Sequence, residues 1–419
     1  MKTIGIVCEL NPLHSGHKYL LDMARQKFSA DYVVLVMSGD YTQRGVPSIV
    51  SKEVRTRMAL MAGADAVFEL PVQYATASAE YFASGAVSLL NSLGCVDHIL
   101  FGTENGDIEE IQKIASILND EPDEYKKELQ KGLKRGLNFA SARDAALKKL
   151  ITIGNSTTLI GSNNILGIEY CRALMASGSN ITPLTIKREG SDYNEEELAD
   201  NFSSASSIRK VLESGMERTK KDATQNTNNE LNSSVKASLE QNIPADILDL
   251  LLSQNKYNCL DNYSDYLHYK LLSERDNGFI SYADIHRDLS DKIIKNLPKF
   301  TTISDFAQLL KSKDLTYTRI QRSLLHILLG ITQETMDMLK ENNYPTYIRL
   351  LGFKKDSSAL LAQIKERADA PVISRMSDSF RLEDELQKSL LAQDVLASDI
   401  YHLLMPEEKN EYQKPVIIL

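Results

Sequence analysis

Two histidines three residues apart, His14 and His17, flank Ser15 and Gly16 just after an Asn-Pro pair. Imidazoles beside a transferring phosphoryl group can donate hydrogen bonds to phosphate oxygens as charge moves onto a leaving pyrophosphate. Such work needs position and charge stabilisation rather than a nucleophile or a base. Gly16 removes the side chain that would hold a phosphate away from the backbone. A helix opening near His17 adds unpaired N–H groups and a positive dipole end. Taken alone, the four residues fit equally a helix cap or a surface pair of histidines. Their place favours chemistry: the loop Cys8 to His17 follows the first apolar run, where a doubly wound sheet gathers phosphates. The spacing is neither GxxxxGK[ST] nor GxGxxG, which sets aside kinases of the P-loop type and dinucleotide dehydrogenases.

A second serine-rich segment, Ser203 to Ser207, runs into Ile208-Arg209. It offers hydroxyls and a fresh helix start to phosphates, with Ser206 and Arg209 as phosphate candidates and an ordinary serine cap as the alternative. The loop Ser38-Gly39-Asp40-Tyr41-Thr42-Gln43-Arg44-Gly45 has the glycines and charges of a binding loop. Asn163 and Asn164 open a helix, one to cap it and the other to meet ligand. Arg188 follows the last strand, where an ordinary salt bridge competes with a phosphate role. Lys18 divides between solvated helix and phosphate contact. No spacing of His, Cys, Asp and Glu forms an ordered metal set, so magnesium is expected to arrive with a nucleotide. Cys8, Cys95, Cys171 and Cys259 are too scattered for a metal knuckle or a disulfide framework, which fits a reduced, cytoplasmic chain.

The elements that must position these groups alternate. Strands are expected at Thr3 to Cys8, Asp31 to Met37, Asp65 to Leu70, His98 to Phe101 and Ile181 to Ile186. Helices are expected from His17 to Lys27, Lys52 to Met61, Thr76 to Leu90, Ile108 to Leu118 and Asn163 to Ala176. Glu121 to Leu150 is charged and helical. This alternation specifies a parallel sheet covered on both faces. Residues 1–215 therefore form an α/β, Rossmann-like unit. Residues 216–245 are a polar linker, and 246–419 a second, mainly helical domain. Its helices are expected at Ile247 to Leu252, Asp261 to Leu272, Tyr282 to Leu289, Ser323 to Leu329, Ser358 to Arg367 and Arg381 to His402.

The chain has 419 residues, enough for two or three domains. Its 57 acids against 48 Lys plus Arg give a net charge of −9, which argues against a surface coated in positive charge. No apolar run approaches the ~18 residues needed to span a bilayer. The N-terminal run passes straight into Glu9 and Asn11, as a first strand would and a signal peptide would not.

The pairs His14-Ser15-Gly16-His17 and Ser204-Ala205-Ser206-Ser207-Ile208-Arg209 resemble the two signatures of the HxGH nucleotidyltransferase superfamily. Gly5 to His17, Met37 to Gly45, Asn163 to Tyr170 and Thr318-Arg319-Ile320-Gln321-Arg322 resemble, more narrowly, the bacterial tRNA(Met) cytidine acetate ligase family. The resemblance spans essentially the whole chain. It implies that ATP and acetate form acetyl-adenylate, and that N4 of the wobble cytidine of elongator tRNA(Met) is then acetylated. It assigns His14 and His17 as catalytic. It carries ATP binding onto Val7, Cys8, Glu9, Leu10, Asn11, Pro12, Leu13, His14, Ser15, Gly16, His17, Lys18, Tyr19 and Leu20, then Gly102, Asn164, Arg188 and Glu189. Gly102 is expected to let the adenosine lie against the backbone. Leu13 stands where other members usually have Phe, and Ser15 where they often have Asn. Asn11, Ser38 and Asp40 are expected to form a small polar pocket for acetate or the amine.

A tRNA partner demands local positive charge. Lys131, Lys134, Arg135, Arg143, Lys148 and Lys149 against Asp144 give 6 − 1 = +5 within Lys131 to Leu150. Arg319 and Arg322, with Arg349, Lys354 and Lys355, form a second group. Lys131, Lys134, Arg135, Lys148, Lys149, Arg319 and Arg322 are thus the tRNA candidates, with solvated helix surface as the alternative. The competing functions are a small-molecule adenylyltransferase making a CoA or NAD precursor and a non-catalytic RNA-binding protein.

Overall fold

The structure is a computed structural model that describes residues 1–151, 161–188, 205–221, 235–254, 256–406 and 410–419. Five strands alternate with helices: β1 (Thr3–Cys8), β2 (Tyr32–Ser38), β3 (Ala66–Leu70), β4 (His98–Thr103) and β5 (Thr182–Lys187). The helices are α1 (Ser15–Gln26), α2 (Lys52–Ala62), α3 (Val72–Ala75), α4 (Ala79–Ser92), α5 (Ile108–Asp120), α6 (Asp123–Lys134), α7 (Phe139–Leu150), α8 (Ser162–Ala176) and α9 (Ala205–Lys221). The helix expected from Thr76 starts three residues later, at Ala79 with Ser78 in the N-cap position, and a separate turn after Pro71, Val72–Ala75, precedes it.

These five strands are parallel, in the order β5-β4-β1-β2-β3. Val33 to Met37 is apolar without interruption because both faces of β2 are covered. Val34, Val36 and Phe68 pack with α4 and α5 on one face, while Ile4, Ile6, Val33 and Leu35 meet α1, α2 and Ile208 on the other. The chain winds outward from β1 through β2 to β3, then returns to β1's other side at β4. That reversal opens a crevice at the carboxyl ends of β1 and β4.

The C-terminal half holds helices α10 (Ala245–Leu252), α11 (Ser264–Glu274), α12 (Arg287–Asn296), α13 (Ile303–Leu310), α14 (Tyr317–Leu329), α15 (Gln333–Glu341), α16 (Ser358–Arg367) and α17 (Glu385–His402). The helix expected at Tyr282 to Leu289 begins instead at Arg287, and α13 and α15 were not anticipated. The half also contributes β6 (Ile348–Phe353), β7 (Val372–Ile373) and β8 (Ile417–Ile418) to the same sheet. β6 runs antiparallel against β3, covering what would otherwise be an open edge. One apolar core continues from the β2–β3 face into α11, α14 and α17. Within the stretch expected as a linker, residues 222–234 lie outside the described residues. Residues 235–239 are helical, and Leu239 and Ile243 are buried in the core shared with β1. Among the described residues, no helix is long and apolar enough to cross a membrane.

Candidate active site

The histidine loop is shaped by a helix cap made of imidazoles. His14 is the N-cap of α1, which begins at Ser15 rather than near His17. The Gly16 N–H donates to His14 Nδ1 at 3.1 Å, and the His14 N–H donates to His17 Nδ1 at 3.3 Å. This is the reciprocal arrangement of a capping box, with rings in place of hydroxyl and carboxylate. The ring centroids stand 3.9 Å apart. A Cβ on Gly16 would lie 2.9 Å from His14 Cε1, so this glycine is required by the histidine ring itself.

The cap corrects one expectation. The first amides of α1 are not open to phosphate: Gly16 N–H meets His14, and Ser15 N–H donates to the Asn242 carbonyl at 2.8 Å. What the loop presents is ring nitrogen. With both Nδ1 atoms accepting, a neutral ring carries its proton on Nε2. Burial lowers His14 well below the ordinary histidine range, helped by His17, Arg188 and Arg209. Burial, then Arg188, lowers His17 to about 3. Both rings are therefore neutral donors facing the cleft.

Around them a cleft opens at the β1/β4 reversal. It is lined by Val7, Cys8, Glu9, Leu10, Asn11, His14, His17 and Leu20 from the first strand, loop and helix, with Gly102, Arg188, Ser206 and Arg209. These twelve expected positions converge. Pro12 and Leu13 are buried beneath the loop, and Ser15, Gly16 and Tyr19 shape it without lining the cleft. Lys18 forms an ion pair with Asp22. Glu189, Ser203 and Ser204 lie outside the described residues.

Of the two asparagines, Asn163 lines the cleft and Asn164 is fully buried. The amides of both donate to the Glu104 carboxylate, at 3.3 and 3.0 Å, and Asn164 Oδ1 accepts the Glu104 N–H at 3.0 Å. The anion at the start of α8 is thus Glu104, which favours the dipole there. Arg188 donates to Asn163 Oδ1 at 3.1 Å. Its stem lies over Gly102, where a Cβ would come within 2.9 Å of Arg188 Cγ. The space expected for adenosine at Gly102 is shared with that arginine.

Two arginines hold the loop. Arg209 donates to the Asn11 carbonyl at 2.6 Å and to Ser206 Oγ at 3.1 Å, tying α9 to the histidine loop. Arg55, fully buried in α2, donates to the carbonyls of Glu9 at 2.7 Å and Ser38 at 2.9 Å and to that of Gly39. Nothing in the sequence distinguished Arg55 from an exposed helix residue. Asp40 and Ser38 do not line the cleft. Both are buried, and Asp40 Oδ1 accepts the Lys52 N–H at 3.1 Å, so the polar pocket expected from them is structural.

Thr42, Gln43, Phe82, Leu166, Tyr170 and Ala205 also line the cleft, beyond the positions expected from the sequence. The rings of Phe101 and Tyr170 are 5.5 Å apart and supply an apolar wall suited to a base. Asn163, Leu166 and Tyr170 recur at i, i+3 and i+7, so one helix face carries them. That period was the available signal. Among the described residues, no group of three or more His, Cys, Asp and Glu is placed to hold a metal.

The tRNA candidates are scattered over the surface. Lys131 and Lys149 both pair with Glu128. Lys134 and Arg135 are exposed beside exposed Leu133, Leu137 and Phe139 at the α6–α7 turn, and Lys148 is exposed in the last turn of α7. Arg322 is paired with Asp284 at 3.2 Å and Arg319 is half-exposed.

A parallel sheet with imidazoles capping the first helix at its switch point defines a nucleotidyltransferase-type nucleotide site. A family model for the HIGH Nucleotidyl Transferase matches residues 1–415. The chain is 39% identical over 410 residues to the tRNA(Met) cytidine acetate ligase of Acetivibrio thermocellus, covering 96% of this chain and 94% of that protein. It is 40% identical over 428 residues to that of Caldanaerobacter subterraneus subsp. tengcongensis, covering 100% of both. Among solved structures, Thermotoga maritima TmcAL bound with alpha-thio ATP is similar with a TM-score of 0.87 and 31% identity over 100% of both chains. The chain belongs to the HIGH nucleotidyltransferase family and, within it, to the tRNA(Met) cytidine acetate ligases.

Proposed function

We propose that this chain is an ATP-dependent ligase that activates acetate as acetyl-adenylate and acetylates N4 of the wobble cytidine of elongator tRNA(Met). The observation that carries this reading is the end-to-end match to proteins of that name. The cleft supplies the chemistry. An acetate oxygen attacks the α-phosphorus of ATP, and the bond to pyrophosphate breaks. His14 and His17 donate through Nε2–H to the departing group, and Arg209 and Ser206 hold it. These donors are fixed before reaction, so little reorganisation opposes the charge shift. The mixed anhydride turns a carboxylate that resists attack into an acyl group with a good leaving group. The cytidine amine then attacks the acetyl carbon and AMP leaves.

Magnesium enters with the triphosphate. Glu9 is the one carboxylate lining the cleft among the described residues, so an ion arriving with ATP would be held mainly by phosphate oxygens and water. The anticodon presents an unpaired base, which makes single-nucleotide presentation inexpensive. Lys134, Arg135 and Lys148 are the favoured phosphate contacts, because Lys131 and Lys149 are engaged by Glu128. The work belongs in the cytoplasm, where ATP, acetate and tRNA coexist.

The test is mass spectrometry of elongator tRNA(Met) incubated with the protein, ATP and labelled acetate. Labelled acetylcytidine at the wobble position is expected, and unmodified cytidine would sink the assignment. In the same assay a Lys134→Glu, Arg135→Glu double variant is expected to lose tRNA acetylation more than acetate-dependent pyrophosphate exchange. Equal rates with the wild type would remove the α6–α7 turn from the RNA surface.

A further inference from the structure

Acetyl transfer to an amine releases a proton, and the cleft lining has few groups able to take it. His14 and His17 have Nδ1 occupied by backbone N–H groups and Nε2 protonated, so neither accepts a proton without opening the cap. Arg44, Arg188 and Arg209 present guanidinium groups, which offer hydrogen-bond donors and no acceptor. Burial pushes the Cys8 thiol up to about 12 and holds the Tyr170 phenol above its ordinary range, so both keep their protons. Asp40 lies outside the lining, beneath Lys52. Glu9 remains.

Glu9 sits at the carboxyl end of β1, beside the histidine loop. Its Oε1 accepts the Gln43 N–H at 2.6 Å, which fixes the carboxylate against the Thr42 to Arg44 loop. No other hydrogen bond to this carboxylate occurs among the described residues, and the residue is half-buried in the cleft wall. We propose that Glu9 is the proton acceptor in the acetyl-transfer step, a catalytic residue distinct from the histidine pair that serves adenylation. The cytidine N4 lone pair forms a bond to the acetyl carbon. The carbon–oxygen bond to the adenylate phosphate breaks, and AMP departs with its electrons. The N4 proton passes to Glu9 Oε2 and from there to solvent. This assignment rests on the function proposed above.

The electrostatics agree with the role. Burial raises Glu9 from the usual carboxylate value, which strengthens it as a base, while the Gln43 amide, Arg209, Arg44 and Arg55 favour its ionised form. Cys8 and Tyr170 are the other titratable groups that feel its charge, and both are neutral.

Glu9→Gln keeps an oxygen for the Gln43 amide and removes the base. Acetate-dependent pyrophosphate exchange and acetylation of tRNA(Met) are to be measured on the same full-length preparation. The expected result is that transfer falls about 100-fold further than exchange. Glu9→Asp is expected to recover part of that loss. Single-turnover transfer from preformed acetyl-adenylate is expected to rise with pH through an ionisation that Glu9→Gln lacks. Exchange and transfer falling in parallel would overturn the assignment, because Glu9 would then shape the site or hold magnesium. An unchanged transfer rate would overturn it as well. A wild-type protein lacking both reactions would remove the functional reading itself, and Glu9's role with it.

Discussion

The Nδ1 atoms of His14 and His17 each accept a backbone N–H, so the cap that starts α1 also selects the tautomer that faces the cleft. Alanine at either position removes one fixed donor and leaves an amide of the first turn without its ring partner. His14→Ala and His17→Ala are each expected to slow acetate-dependent pyrophosphate exchange by about 100-fold or more. Exchange at wild-type rates in both variants would rule out the electrostatic role. The same rings set an acid limit on the fold. Their folded values lie below the unfolded histidine value of about 6.5, so the unfolded chain binds protons first as pH falls. Their contribution is complete above about 6.5 and is lost progressively towards about 3, the folded value of His17. Thermal melts of the ligand-free protein are expected to fall in Tm below pH 6.5. His17→Asn, which keeps an acceptor for the His14 amide, is expected to flatten part of that slope; an identical slope would remove His17 as its source.

The loop after β2 meets α14, and Gly45 lies against the backbone of that helix. Its φ is +76°, and a Cβ there would stand 2.5 Å from the Arg322 backbone nitrogen. Gly45→Ala combines a left-handed strain with a backbone collision that no side-chain rotation relieves, and is expected to cost about 1–3 kcal/mol. Because Gln43 and Arg44 in this loop line the cleft, ATP affinity is expected to fall with Tm. Both values unchanged would show that the loop relaxes away from α14. The fold around this loop was largely legible in the sequence: alternation gave five strands within a few residues, and the Asn-Pro turn placed the histidines after β1. What escaped were elements whose partners lie far along the chain. Ile348-Arg349-Leu350-Leu351-Gly352-Phe353 is a short strand amid helices, and its main partner, Ala66 to Glu69, lies nearly 300 residues earlier in the chain. Phe82 was invisible as a cleft residue for a similar reason, since an aromatic on a helix is the ordinary signature of core. Glu104 capping α8 across 60 positions leaves no local trace at all.

The whole molecule is joined through buried charge as well as through the shared sheet. Lys52 in α2 is almost fully buried, with Nζ 2.8 Å from Glu69 and 3.0 Å from Glu411. Glu411 also faces Arg349 at 3.3 Å and accepts a hydrogen bond from Ser398 at 3.2 Å. The C-terminal segment therefore supplies the anion that balances cations from both halves. Lys52, Arg349 and Lys414 hold Glu411 below the usual carboxylate range, whereas burial raises Glu69, so Glu411 bears the fuller negative charge. Near this cluster β8 pairs with β6, and β6 with β3, carrying the end of the chain to the sheet that holds the cleft. Glu411→Gln keeps the shape and one acceptor but leaves Lys52 and Arg349 short of a counter-charge away from water. Breaking such a buried group from one side is expected to destabilise the fold by about 3 kcal/mol, because the stranded cations cannot be resolvated. Since one apolar core crosses between the halves, urea unfolding followed by circular dichroism is expected to stay a single transition with a lowered midpoint. Two separated transitions would mean that the halves fold independently and that Glu411 only latches them. An unmoved midpoint would mean that Glu69 alone suffices for Lys52.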